Sequence, residues 1–323
     1  MKKILMTSGA ALLLSAGYAA ADTISFTGDA RMGVVYDRNA ESEFRIDSRI
    51  RGYFFFDAES DTGLEFGGRL RIDQAREGAN SIASGSAGNY VYVASEFGEV
   101  RVGDVPGAGL AAAGDLHSVG FTGLGFLNEP DYLLRNFGGG LLNTAQNGAL
   151  YQYDLDAFSL YAHTGAIDNP TIAPGVTMET NVGIGASYDA GMFFGGIAFE
   201  YGEINDVLGD DQDLTHLTLG GGASFDMFEV RGHFGRAGGD IGDELPSRNQ
   251  FGASVQGSFD AITATAFARE DFFQDRHFGL GASYDLGGGA RLDGGVRHTR
   301  YDTFSVRGDT TDTFADLGVN MSF

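Results

Sequence analysis

Alternation of apolar and charged residues with a period of two is the feature that most constrains this chain. Successive side chains of a β-strand point to opposite faces, so such alternation predicts strands with one apolar and one polar face. Between positions 44 and 56, one face carries Phe44, Ile46, Ile50, Phe54 and Phe56, and the other carries Arg45, Asp47, Arg49, Arg51 and Tyr53. The next segment alternates Leu64, Phe66, Leu70 and Ile72 with Glu65, Arg69, Arg71 and Asp73.

Such segments recur along the whole chain without a helical insertion, and they are rich in glycine (51 residues) and poor in proline (5 residues). In a soluble sandwich the apolar faces would form the core. The many charges and glycines on the polar faces, together with an export signal, favour a membrane barrel instead. We therefore predict an all-β fold, a transmembrane antiparallel β-barrel.

The export signal is predicted in residues 1–21. Lys2 and Lys3 precede a short apolar run, 4–14, and small residues at 19–21 allow cleavage before Asp22. The alternatives are a membrane anchor or a buried N-terminal helix, but spanning a bilayer takes about 20 apolar residues. The mature chain, 22–323, is then expected to be a single barrel domain.

Connections between the predicted strands alternate in length, with short turns such as 61–63, 189–191 and 259–261 separated by longer loops. Short turns at one end and long loops at the other are typical of outer-membrane barrels, whose strand number is even. We count 16 strands, with both termini on the periplasmic side. A barrel of that size leaves an aqueous channel, whereas eight strands fill with side chains.

One connection, about 105–147, is exceptional in length, and long loops in compact folds are usually functional or disordered. Its apolar content, which includes Leu116, Phe121, Phe126 and Tyr132, argues against disorder. A loop folded inward against the barrel wall would bury these residues. A pair of further strands or an extracellular cap is the alternative.

The charged strand faces must line the lumen, because a charge against lipid costs roughly 2–4 kcal/mol at the membrane midplane. Arg45, Arg49 and Arg51 then lie beside Arg69 and Arg71 of the next strand, partly neutralised by Asp47, Glu65 and Asp73. The cluster is a candidate selectivity element, and the alternative is an ordinary salt-bridged wall.

Other functions have little support in the sequence. The mature chain carries a net charge of −25 (19 basic and 44 acidic residues), which argues against a nucleic-acid partner. There is no Cys, the six histidines show no metal-binding spacing, and no catalytic motif occurs, so we predict neither an enzyme nor a bound cofactor. Two acidic groups could hold calcium loosely, or simply form a solvated rim that meets divalent ions and lipopolysaccharide: Asp206, Asp210, Asp211 and Asp213, and Asp240, Asp243 and Glu244.

Several segments resemble the general diffusion porins of the Rhodobacter-type α-proteobacterial outer-membrane family. They are the start of the mature chain, 23–36 (TISFTGDARMGVVY), and the segments 61–68 (DTGLEFGG), 279–289 (GLGASYDLGGG) and 315–319 (ADLGV). The resemblance covers the mature chain and is weak in the loops. It implies a 16-stranded homotrimer in the outer membrane of a Gram-negative bacterium, with the third long loop in the lumen.

The resemblance also implies a constriction between loop acids and an arginine wall. Carried onto this chain, the acids are Asp115, Glu129 and Asp131, and the wall is Arg31, Arg45, Arg49, Arg51, Arg69 and Arg71. The loop carries fewer acids and more apolar residues than the family pattern, which points to a less polarised constriction.

The final strand alternates Ala315, Leu317, Val319 and Met321 on the predicted lipid side with Asp316, Gly318 and Asn320 on the lumen side, and it ends in Phe323. A terminal aromatic of this kind resembles the signal read by the outer-membrane assembly machinery. We therefore predict a porin for passive diffusion of ions and small hydrophilic solutes. A substrate-selective channel and a non-conducting barrel enzyme or adhesin are the alternatives, and ion preference stays open.

Overall fold

The structure is a computed structural model that describes residues 23–74, 82–83, 88–134, 141, 148–165, 171–173, 176–206, 211–303, 305 and 307–323. The predicted signal segment, 1–21, lies outside these residues. Within the described part, no helix is long and apolar enough to cross a membrane.

Sixteen antiparallel strands form one closed barrel. In chain order they are β1 (Thr23–Asp37), β2 (Phe44–Glu59), β3 (Glu65–Gln74), β4 (Tyr90–Ser95), β5 (Gly98–Gly103), β6 (Gly148–Leu155), β7 (Phe158–Gly165), β8 (Val176–Asp189), β9 (Phe193–Asp206), β10 (Asp211–Phe225), β11 (Phe228–Gly238), β12 (Asn249–Phe259), β13 (Ile262–Glu270), β14 (Arg276–Gly287), β15 (Ala290–Arg300) and β16 (Thr311–Ser322). Two short segments, Ile82–Ala83 and Thr171–Ala173, pair with β3 and β8 beside the ring, and two short helices are α1 (Ala108–Ala113) and α2 (Gly239–Glu244). The predicted fold class and strand number are confirmed.

The ring closes where β16 pairs with β1. Arg31 lies opposite Asn320 in this pairing, and Asp29 lies opposite Ser322. The last residue continues the pairing, because the Phe323 N–H donates to Gly28 O at 3.0 Å and the Gly28 N–H donates to Phe323 O at 2.6 Å. A side chain at Gly28 would collide with the Phe323 ring, so glycine is what lets this ring cover the seam of the barrel.

Tight turns join the strands at the end of the barrel where both described chain ends lie. Asp156, Asp226 and Asp260 take positive φ angles of 54°, 47° and 51° in three of these turns. Aspartate tolerates this left-handed conformation better than most residues, and turns of this kind match the twist of the strands they join. Two longer connections that the structure describes in full, 38–43 and 239–248, lie at the opposite end, in the predicted arrangement.

The outer face of the barrel is apolar and uncovered. Ile46, Ile184, Val91 and Leu280 are each more than 60% exposed, and all lie at positions that the period of two assigns to one face. A soluble protein rarely exposes an apolar surface of this extent, whereas a barrel in lipid requires one.

The barrel interior contains the described part of the long loop, residues 105–134, which we call the inner loop. Its helix α1 packs against glycine residues of the barrel wall. A side chain at Gly196 would overlap the carbonyl oxygen of Ala112, and one at Gly220 would crowd Ala113. Absent side chains on β9 and β10 therefore create the space in which α1 packs. Further along, Leu116 lies over Gly252 and Phe121 over Gly318, so the inner loop follows the wall round toward β16 and β1.

Candidate constriction site

The six predicted arginines lie on the inner faces of β1, β2 and β3. Strand register brings them together, since Arg31 is paired with Arg49 and Asp29 with Arg51 across β1 and β2. Like charges directly opposite one another destabilise a strand pair. The cluster is therefore held in place by the acids around it.

Three aspartates of the same wall bind four of the arginines. Arg31 Nε lies 2.8 Å from Asp47, Arg49 Nη2 lies 3.3 Å from Asp29, Arg51 Nε lies 3.0 Å from Asp73, and Arg71 also contacts Asp73. The sequence identified Asp47 and Asp73 as partners but not Asp29. Arginine suits this setting because its guanidinium remains charged beside other cations, where a lysine would lose its proton.

The other two arginines stack on aromatic rings. The guanidinium of Arg69 lies 4.7 Å from the centre of the Tyr53 ring, and that of Arg45 lies 5.4 Å from the centre of the Phe314 ring. Stacking of this kind favours the cation and restrains its long side chain. Tyr53, an inward aromatic that a selective channel could use, is thus engaged by Arg69.

The tip of the inner loop meets this wall through one buried carboxylate. Asp316 on β16 accepts hydrogen bonds from the backbone N–H groups of Phe121 (3.2 Å) and Thr122 (2.8 Å), and from the Thr122 hydroxyl (2.6 Å). Arg31 lies beside the tip, with its guanidinium 5.8 Å from the centre of the Phe121 ring. An open cleft of about 370 Å³ remains between the tip and the arginine wall.

The three predicted loop acids lie along a different part of the wall. The Asp131 carboxylate pairs with Arg269 on β13 at 2.5 Å, and Arg269 also contacts the main-chain oxygen of Glu129. The main-chain oxygen of Asp115 accepts a hydrogen bond from Arg231 on β11 at 3.0 Å. The partner of Asp131 is therefore a cation outside the six that the family resemblance implies.

Both arms of the inner loop are fastened to the wall by Glu200 of β9, which is fully buried. Its carboxylate accepts a hydrogen bond from the Gly109 N–H at 3.1 Å, at the start of α1, and another from the Leu133 N–H at 3.3 Å, on the returning arm. His216 lies 3.4 Å away and its ring also contacts Gln250. One strand residue thereby holds two loop segments that are 24 positions apart in the sequence.

His163 completes the anchor beside Glu200. Its Nδ1 accepts a hydrogen bond from the Ala108 N–H at 2.8 Å, so the ring proton sits on Nε2, which donates to Asn181 Oδ1 at 2.8 Å. A neutral imidazole is required for this pair of bonds. No local sequence signal marks the anchor, because its members come from β7, β8, β9 and the loop.

A second group of side chains has the composition of a hydrolase triad. His117 Nδ1 lies 2.8 Å from the Ser254 hydroxyl and His117 Nε2 lies 3.0 Å from Glu229. The Ser254 hydroxyl, however, also accepts the backbone N–H of His117 at 3.0 Å and is buried under the loop. Burial and the nearby Arg231 lower the pKa of His117, which outweighs the effect of Glu229. The group fastens the middle of the inner loop to β11 and β12.

The predicted calcium-binding acids are only partly described. Asp213 accepts the backbone N–H of Asp240 at 2.9 Å, and Asp243 pairs with Arg248 at 2.7 Å. Asp210 and the side chain of Asp206 lie outside the described residues. In the described part of the chain, no three His, Cys, Asp or Glu side chains are arranged to hold a metal ion.

A closed sixteen-stranded barrel with an apolar exterior, a charged interior and a loop fixed inside it defines a class of protein, the water-filled pores of outer membranes. Comparison with known proteins agrees. The chain belongs to the Gram-negative porin family, whose sequence profile matches residues 8–303.

Two relatives support this assignment, and a third shows the fold alone. A porin of Rhodobacter capsulatus is 30% identical over 327 residues, which cover 93% of this chain and 100% of the relative. A solved porin structure superimposes with a TM-score of 0.70 at 26% identity, covering 93% of this chain and 100% of the other. A triple mutant of Rhodopseudomonas blastica porin, at 22% identity and the same coverage, gives a TM-score of 0.69.

Family membership identifies the protein as an outer-membrane porin for passive diffusion. The predicted family, location and transport function are therefore confirmed. The protein is therefore a channel.

Proposed function

We propose that the pore is narrowest where the tip of the inner loop approaches the arginine wall, and that size and charge both select solutes there. The observation that carries this proposal is the shared cleft, which is lined by Arg31, Arg49 and Arg51 on one side and by 120–123 of the loop on the other. A solute passing through this gap meets fixed cations at close range, where fields are screened less than in bulk water.

Acidic and hydroxyl side chains line another part of the lumen, on strands β12 to β15. A larger cavity of about 740 Å³ is lined by Asp260, Asp285 and Asp293 together with Ser and Thr side chains of β12 to β14. We infer a field across the lumen that is positive at β1 to β3 and at Arg291, which also lines this cavity, and negative at Asp260 and Asp285. Such a field orients polar solutes and disfavours apolar ones.

Conductance of the purified, refolded protein in a planar bilayer tests the proposal. We expect stable ohmic steps, and we expect Arg49→Gln together with Arg51→Gln to shift the reversal potential in a salt gradient toward cations. The matched control is Arg276→Gln, a surface arginine paired with Glu270. Unchanged selectivity in the double variant would contradict the role of the arginine wall.

We further propose that the protein assembles as a homotrimer. Strands β4 to β7 contain six, six, eight and eight residues, whereas a strand that crosses the membrane needs about 9–11. Their outer faces are nevertheless apolar, with Val91, Val93, Val100 and Val102 exposed. Neighbouring subunits would cover this part of the barrel wall, where the strands are short. A heat-sensitive trimer band on a denaturing gel is expected, and an unheated band at monomer size would contradict it.

Phe323 is proposed to be the residue that the assembly machinery reads. Its ring is 47% exposed on the outer face although it seals the seam over Gly28. We expect Phe323→Ala to lower the amount of folded barrel in the outer membrane, and Leu317→Ala, on the same face, to lower it much less. Contact of the acidic rim with lipopolysaccharide through divalent ions remains a proposal, and no nucleic-acid partner is expected.

A further inference from the structure

The cleft at the loop tip has more unused hydrogen-bond donors than a salt-bridged wall requires. Four arginines line it against a single acid, Asp29; the four are Arg31, Arg49, Arg51 and Arg291. Among the described residues, no acceptor lies within hydrogen-bonding distance of the buried Arg49 Nε. Arg51 and Arg291 each donate to an aspartate through Nε, and within the described part of the chain their terminal nitrogens form no hydrogen bond.

These donors are accessible to a solute. The side chain of Arg291 is 60% exposed, and those of Arg49 and Arg51 are partly exposed, at 17% and 21%. Guanidinium groups bind carboxylates and phosphates through paired, charge-assisted hydrogen bonds. The cleft can therefore bind an anionic group.

An aromatic ring lies in the same cleft. Phe126 is 49% exposed, although the lumen is filled with water, and its backbone takes a φ of 58°, which bulky residues rarely adopt. The ring packs against Gly123, and a Cβ added at Gly123 would lie 2.7 Å from the Phe126 ring. The other ring of the tip, Phe121, is buried and faces Arg31, so Phe126 is the ring that a passing solute meets.

The exposed Phe126 ring lies beside the arginine donors of the cleft. Together they offer the two contacts that an aromatic anion makes, which are ring packing and charge-assisted hydrogen bonds. Backbone strain of this kind persists where the surrounding structure enforces it, and it is common at ligand sites. The cleft volume, about 370 Å³, lies within the range of small-molecule sites.

We propose that this cleft is a binding site for aromatic carboxylates. The carboxylate lies among Arg49, Arg51 and Arg291, and the solute's ring lies on Phe126. The site rests on the proposed constriction and gives it a preferred solute class, because a solute that pauses there interrupts the ion current.

Benzoate is the probe, with acetate as the anion that lacks a ring and benzyl alcohol as the ring that lacks a charge. We expect benzoate to interrupt single-channel current at concentrations about tenfold lower than acetate, which corresponds to one additional favourable contact. Benzyl alcohol is expected to leave the current unchanged.

Two variants separate the contacts. Phe126→Asn removes the ring while keeping a residue that tolerates positive φ, and Arg49→Gln removes a cation. Each is expected to weaken the benzoate block about tenfold. Arg276→Gln is the control, since Arg276 is an exposed surface residue that pairs with Glu270 and does not line the cleft. Migration of the folded band without heating shows whether each variant has folded, and Phe126→Leu replaces Phe126→Asn if that variant does not fold.

Equal block by benzoate and acetate in a conducting wild-type channel would overturn the aromatic site and leave the proposed constriction intact. A benzoate block that persists in the Phe126 variants would also overturn it. If the protein does not conduct, the proposed function fails, and benzoate binding to the refolded protein by calorimetry, compared with acetate, still decides the site.

Discussion

Removal of the Glu200 carboxylate is expected to loosen the two arms of the inner loop at β9, while Asp316 still holds its tip. In Glu200→Ala the backbone N–H groups of Gly109 and Leu133 both lose their acceptor, at 3.1 and 3.3 Å in the wild-type protein. Hydrogen bonds to a charged group contribute about 1.5–3 kcal/mol each. Because water can enter the space that is left, we take the lower value for both bonds, about 3 kcal/mol in total. The state in which these two arms are detached from β9 should then become more populated by about two orders of magnitude.

Single-channel recording measures this change. Loop arms that leave the wall move within the lumen, so we expect frequent transitions to subconductance levels in Glu200→Ala and faster cleavage of the inner loop by an added protease. Glu203→Ala is the matched control, because Glu203 lies on the same strand and its side chain contacts the Tyr201 hydroxyl at 3.3 Å. Open-channel noise and cleavage rates equal to those of the wild type would refute the anchoring role of Glu200.

Two further predictions concern the packing and the pH response of the loop. Gly196→Ala places a Cβ against a carbonyl oxygen of α1 and should destabilise the folded barrel by about 1–3 kcal/mol toward urea. Gly232→Ala should not, because the nearest atom to its added Cβ would be the Gly252 carbonyl oxygen at 4.0 Å, an ordinary contact distance. His117 has a pKa lowered by burial and by Arg231, so the unfolded chain binds more protons than the folded one below the ordinary histidine value of 6.5. Stability should therefore be complete above pH 6.5 and decrease as pH falls below it. Urea titrations at several pH values should show a smaller decrease in His117→Gln and an unchanged one in the exposed control His298→Gln; an equal decrease in all three proteins would contradict the assignment.

Local alternation predicted the barrel because it depends only on neighbouring residues in the sequence. Ile46 and Arg45 must point to opposite faces in any strand that contains them. Arg231 and Arg269 also lie at inward positions of this alternation, so the same signal could have identified them as wall residues. The sequence also shows that glycine is abundant, but it does not show that some of these glycines form the surface against which α1 packs.

The partners of these residues could not be predicted from the sequence. Asp131 meets Arg269 across 138 positions and Phe121 meets Asp316 across 195 positions, and a shift of one residue in strand register would separate both pairs. Loop residues have no period that fixes their direction, so the positions of Asp115 and Glu129 also depended on the packing of the loop.

The sequence by itself determined the strand faces, the alternation of short turns and long loops, the number of strands and the apolar exterior. These are consequences of side-chain alternation and of the cost of exposing charge to lipid. Only the tertiary structure decided that Glu200 holds both arms of the inner loop, and that Phe126 shares a cleft with Arg49, Arg51 and Arg291. Those contacts join strands and loop segments far apart in the chain, and they exist only once the barrel has closed and its register is set.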